Sequence, residues 1–308
     1  MDLSYEATAL AFILVGVVTL WVTEALPLPV SALLAAAACV VAGVAPASEV
    51  FRPFSQPLVF LFIGSFILAE AIRIHRLDRR LAFAVLALPM VGERPIRIML
   101  AVAVVSGVVS GFISNTATTA MMVAIVAGML SAVEEAGQKA NCCPKPEFAT
   151  GLFLCVAFAA SIGGLATPIG TPPNVIGLAF IREQLGVHIS FFEWCLVGAP
   201  VSIFLIIMST LLLAVSFPSG VRHIEGMSQL VTNERQQLGS WTTAQRSTAL
   251  AFGVTVGLWV TPGFLTLTLG SEHPLCLWFR EHIPEGVAAI LGAMLLFILP
   301  GDGQTKQS

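Results

Sequence analysis

Charge is the scarcest property of this chain. Asp, Glu, Lys and Arg make up 11% of its 308 residues, where a soluble domain carries roughly 25%. A water-soluble globular fold is excluded on that count. Short segments of alternating hydrophobicity, the signature of a membrane β-barrel, are missing as well. The start, Met1 to Glu6, is acidic and lacks the basic opening of a cleavable secretory signal. No His, Lys or Asp lies inside a long apolar run, and His75, His188, His223, His273 and His282 fall in loops or flanks. A hydrolase using Ser65 or Ser114 as nucleophile would need a base within reach, so the chain is not expected to be an enzyme. The six cysteines are scattered. Cys39, Cys155 and Cys195 read as small packing residues. The Cys142-Cys143 pair has no neighbouring His or second Cys pair, so no metal site is expected there.

What is present is apolar. Hydrophobic residues make up 56% of the chain, its mean hydropathy is +0.90, and apolar runs near 20 residues recur along it. The expected class is an all-α polytopic protein integral to the plasma (inner) membrane, in contact with membrane lipid and with no nucleic-acid partner. Apolar segments are expected at 7–23, 30–45, 57–72, 95–113, 117–133, 148–166, 194–217, 247–265 and 284–300. A basic amphipathic stretch follows the third (Arg73, Arg76, Arg79, Arg80), and residues 219–246 read as a polar linker. Glu24 and Glu70 sit at segment ends and are expected to anchor them. The tryptophans mostly fall near segment ends and read as interfacial anchors. Threading the spans alternately puts twelve Lys and Arg on one side, including Arg73 to Arg97, Lys139 and Lys306. Arg52, Arg182 and Arg280 fall on the other. The basic side, with the 73–97 loop, is therefore expected to be cytoplasmic and the N-terminus external.

Two stretches break the apolar pattern. Ser114-Asn115-Thr116 places three hydrogen-bonding side chains in a row between long apolar arms. Thr167-Pro-Ile-Gly-Thr-Pro-Pro-Asn174 interrupts an apolar run extending from 148 to 181, far longer than the ~20 residues one span needs. Non-helical backbone at membrane depth persists only where it is buried in protein or lines a wet cavity. The second stretch is therefore expected to be a discontinuous helix whose half-helix ends face a cavity. The first fits the tip of a re-entrant hairpin, or equally a turn joining two full spans. Hydroxyl and amide oxygens suit a hard cation such as Na⁺, and donors at a helix N-terminus suit oxyanions. Ser110, one turn before Ser114, lies on the same helix face.

Three stretches carry a family resemblance: Trp21-Val-Thr-Glu-Ala-Leu-Pro-Leu-Pro-Val30, Ser-Asn-Thr-Ala-Thr at 114–118, and Ile-Gly-Gly-Leu-Ala-Thr-Pro-Ile-Gly-Thr-Pro-Pro-Asn at 162–174. Together they resemble the divalent anion:sodium symporters, the sodium-coupled carriers of dicarboxylates, citrate and sulfate. The resemblance covers nearly the whole chain. It implies a sodium site made by Ser110, Ser114, Asn115 and the Gly170 backbone. It also implies a small anionic substrate held by Asn115, Thr116, Thr171 and Pro172. It further implies no cofactor beyond Na⁺ as coupling ion, and a homodimer moving a transport domain against a scaffold. The family carries two inverted repeats, each with its own Ser-Asn-Thr hairpin and broken helix. This chain shows one of each, and its 284–300 span resembles the early part of the second repeat. It is thus expected to be truncated relative to the family and to hold half of a binding site.

The expected division is 1–92 as scaffold-like helices and the basic stretch, and 93–217 as the transport-like region. Residues 218–246 follow as a cytoplasmic linker, and 247–308 as the first helices of an incomplete second repeat. The expected activity is Na⁺-coupled symport of a divalent or polyvalent anion. The alternatives are a proton-coupled or exchange-type anion permease, or a non-transporting fragment that needs a second chain.

Overall fold

The computed structural model describes residues 4–140, 144–224 and 226–302. Cys142, Cys143, Lys306 and the side chain of Lys139 lie outside the described residues. Among the described residues all regular structure is helical, as the apolar runs predict. Proline opens five of the α-helices, at positions 57, 95, 146, 172 and 274. Its locked φ suits the first helical turn, where an N–H has no intrahelical partner to lose.

The chain divides into two compact units, one ending at Val59 and the other starting at Phe60. The first holds α1 (Tyr5–Val22), α2 (Leu28–Val41) and the short α3 (Ala47–Val50). The Ser4 hydroxyl accepts from the Ala7 N–H and so caps α1. Where α1 and α2 pack, the Trp21 indole N–H donates to the buried Ser31 hydroxyl at 3.0 Å.

The second unit takes in α4 (Pro57–Ile74) after its first turn, α5 (Leu77–Leu86), α6 (Pro95–Ser110) and α7 (Asn115–Ala140). It continues with α8 (Pro146–Gly163), α9 (Pro172–Leu185), α10 (Phe191–Ser216) and α11 (Met227–Gln237). It ends with α12 (Thr243–Leu269), α13 (Pro274–His282) and α14 (Glu285–Ile298). Six helices (α1, α4, α7, α8, α10 and α12) are long and apolar enough to cross a membrane, while α13 and α14 form a pair bent by 66°. The core gathers around α6 and α8, where Met99, Val102 and Val105 pack with Phe148, Leu152 and Val156. Glycine makes this possible. A methyl on Gly163 would lie 2.3 Å from the Gly107 carbonyl oxygen, so α6 and α8 cross almost backbone to backbone. Small residues at the crossing are how helices associate in lipid, where burial from water supplies no drive.

Three elements differ from what hydropathy predicts. The 219–246 stretch contains α11, which packs on α5 and α7. Arg79 pairs with Glu234 at 2.8 Å. Arg80 donates to the Leu238 and Gly239 carbonyls beyond the C-terminus of α11 and stacks over the Trp241 ring. The basic stretch thus binds protein through these two arginines. Trp259 is not an interfacial anchor. It is 2% exposed within α12, stacks on Phe191 and donates to the Glu285 carbonyl. Finally, α13 is a separate short helix before the last apolar segment.

Candidate functional site

The crossing of α6 and α8 fixes what lies just beyond it. α6 ends at Ser110, which is fully buried, and the chain turns through Gly111 to Ser114. There the Ser114 hydroxyl accepts from the Ala117 N–H at 3.3 Å and its carbonyl accepts from the Thr118 N–H. Serine is among the residues that best cap a helix this way. The Ala117 N–H, one of the four N–H groups that a helix start leaves without intrahelical partners, is thereby taken. Those of Asn115 and Thr116 remain, at the positive end of the α7 dipole.

Opposite this tip, α8 stops at Gly163 and the backbone runs irregularly from Gly164 to Thr171. The break therefore begins three residues before the expected Thr167, and helix resumes at Pro172 instead of after Asn174. Several carbonyls at the break find side-chain partners. Ile162 O accepts from the Ser202 hydroxyl and Leu165 O from the Trp194 indole, both on α10. Gly164 O and Thr167 O both accept from the Asn174 amide, at 2.8 and 2.9 Å. The Thr167 hydroxyl donates to the Gly111 carbonyl of the hairpin turn and accepts from the Gly170 N–H. Buried backbone polar groups require such partners, so α10, Thr167 and Asn174 hold the break in one shape.

Thr167 and Asn174 are the residues that reasoning from the sequence left without a role. Their signal was available: a Thr and an Asn bracketing an apolar break are the side chains that can replace lost helical hydrogen bonds.

The two broken elements meet. The Ser110 hydroxyl donates to Asn115 Oδ1 at 2.7 Å. A methyl on Gly164 would lie 2.5 Å from the same Oδ1. One on Gly170 would fall 2.6 Å from the Gly164 carbonyl oxygen and 3.1 Å from that of Gly111. Ser110, Asn115 and Gly170 thus share one oxygen-rich cluster, with the turn carbonyls close by. Ser114 and Thr116 are exposed on the rim, Thr171 is half-buried and Pro172 exposed. Pro172 and Pro173 have no N–H, and that of Asn174 is bonded to the Thr171 carbonyl. The start of α9 therefore offers an anion little beyond the Thr171 hydroxyl and N–H, and Pro172 can touch a ligand only through its ring. The serine of the hydrolase alternative at position 65 donates to its own helix at Leu61 O.

A helical membrane protein in which a hairpin tip and a broken helix meet around neutral oxygens has the architecture of a secondary carrier. The pattern of the family described as "Sodium:sulfate symporter transmembrane region" matches residues 2–300, and the chain belongs to that family. The sodium-dependent dicarboxylate transporter SdcS of Staphylococcus saprophyticus is 30% identical over 311 residues, covering 99% of this chain and 57% of that protein. Proteins of the same name from Staphylococcus aureus strains RF122 and USA300 are each 29% identical over 308 residues, with the same coverage. The chain therefore spans little more than half the length of these curated relatives.

Proposed function

We propose that the protein takes part in Na⁺-coupled symport of a divalent or polyvalent anion, a di- or tricarboxylate or sulfate, across the plasma membrane. The observation that carries this is the cluster of Ser110, Asn115 and Gly170 between the hairpin tip and the break. It presents hydroxyl, amide and carbonyl oxygens and no titratable side chain, which favours Na⁺ over H⁺ as the coupling ion. Ser114 adds its oxygens from the α7 cap. The anion is assigned to the adjoining rim, on Asn115, Thr116, Thr171 and Pro172, with the free N–H groups at the start of α7 supplying charge-matched donors. The names of the relatives and of the family support this choice of ligands. These residues form one wall of the pocket, and the family's second hairpin and broken helix supply the other.

α6, at 16 residues, rises about 24 Å, short of the ~30 Å hydrocarbon core, which supports a re-entrant hairpin. The Arg79–Glu234 and Arg80–α11 bonds join two stretches that the charge count assigns to the same face, which supports a cytoplasmic 73–97 loop. Residues 1–92 are assigned to the scaffold, 93–217 to the moving part, 218–246 to the connection and 247–308 to the following repeat, in a homodimer.

The test is uptake of labelled succinate, citrate and sulfate by membrane vesicles from cells expressing the gene, with Na⁺ or choline outside. Uptake of at least one anion is expected only with Na⁺; uptake indifferent to Na⁺ would remove the coupling assignment.

A further inference from the structure

The Thr118 side chain is 1% exposed, yet its hydroxyl oxygen has no hydrogen-bond partner among the described residues. Leaving a buried hydroxyl unpaired is costly, and native structures nearly always avoid it. Most other buried Ser and Thr hydroxyls here bond a carbonyl. Ser106 donates to Val102 O, Thr248 to Ala244 O and Thr255 to Ala251 O. Thr118 could do the same one turn back, at the Ser114 carbonyl that takes its N–H, yet its hydroxyl does not join that bond.

Its place in α7 says where it is aimed. At 100° per residue Thr118 lies, in projection, between Ser114 and Asn115 and one turn deeper. Cα–Cβ bonds tilt toward a helix's N-terminus, so the side chain leans back toward the tip. That is where Ser110 and Asn115 place their oxygens 2.7 Å apart, with Gly164 bare of a side chain beside Asn115.

We propose that the Thr118 hydroxyl is a further oxygen ligand of the Na⁺ bound by Ser110, Ser114, Asn115 and Gly170, closing the site from its buried side. This rests on the sodium-site assignment above. Coordination to a cation would give the buried oxygen, through a lone pair, the partner that the described residues do not supply. The four-residue set gains one more oxygen, closer to the coordination a hard cation takes.

The test is the thermal unfolding midpoint of the full chain in nanodiscs, titrated with NaCl against choline chloride at constant ionic strength. Wild type and Thr118→Ser are expected to be stabilised with the same half-saturating Na⁺. In Thr118→Val and Thr118→Ala that concentration rises tenfold or more. Without Na⁺, Thr118→Val melts no lower than wild type, because it removes an unpaired hydroxyl at constant shape. A wild-type Na⁺ midpoint in either the Val or the Ala variant overturns the proposal while leaving the four-residue site intact. No stabilisation of wild type by Na⁺ over choline overturns the site itself.

Discussion

The Ser110 hydroxyl donates to Asn115 Oδ1 at 2.7 Å across the turn of the hairpin. This one bond ties the last residue of α6 to the first of α7 and sets the direction of the amide oxygen. Asn115 is half-buried and Ser110 fully so, so the serine behaves as the fixed partner. Ser110→Ala should cost about 1 kcal/mol of stability, the usual net worth of such a bond. It should also raise the half-saturating Na⁺ concentration at least about tenfold, the equivalent of 1.4 kcal/mol. Melting curves with and without Na⁺ read both quantities.

The α6–α8 crossing depends on glycine where no shift of a side chain can make room. Gly163→Ala drives a methyl into the Gly107 backbone and should cost about 1–3 kcal/mol or more, as overpacking does. Gly128 of α7 has open space around it, so Gly128→Ala should be neutral or stabilising by up to about 1 kcal/mol. Thermal stability of the two variants in the same detergent compares them directly.

Asn174 holds two carbonyls of the break with one amide nitrogen. Asn174→Asp keeps the shape but turns an acceptor toward both carbonyls. It should destabilise by more than Asn174→Ala, which removes the side-chain donor to Gly164 O at about 1–3 kcal/mol while Thr167 O keeps the Gly170 N–H. Equal melting of the two variants would show that the donor is not what holds the break.

Asp302 accepts from the Thr243 and Ala244 N–H groups at the start of α12. The Thr242 side chain, with help from these N–H groups, holds its carboxyl below the usual range. A carboxylate depressed in this way stabilises above its unfolded value, about 3.9, and the contribution disappears as pH falls through the folded value. Amide protection at residues 243 and 244, corrected for intrinsic exchange, should be lower in Asp302→Asn at neutral pH. Wild type should converge on that variant only as pH falls from about 3.9 through the lower folded value.

Much of this was legible in the residues. Long apolar runs located the major helices, because span length is set by the bilayer and not by tertiary packing. Ser114–Thr116 and the Thr167–Asn174 stretch marked the hairpin tip and the break, because polar and proline-rich residues inside apolar runs have few other uses. The edges of the break were misplaced for a physical reason. Gly163 and Gly164 end α8 early under the crossing with α6, and the paired prolines begin α9 where a loop was expected. α11 was hidden because its helix is held by Arg79, Arg80 and contacts with α5 and α7, partners distant in sequence. Trp259 was misread because its distance from a segment end says nothing of Phe191 and Glu285, which bury it.

Sodium binding to this one cluster is the central claim, and equilibrium binding of radioactive ²²Na⁺ to the purified protein tests it most directly. Saturable binding is expected, displaced by unlabelled Na⁺ and not by K⁺ or choline, and lost in a monodisperse Asn115→Ala variant. Absence of saturable binding in wild type, or undiminished binding in Asn115→Ala, would contradict it.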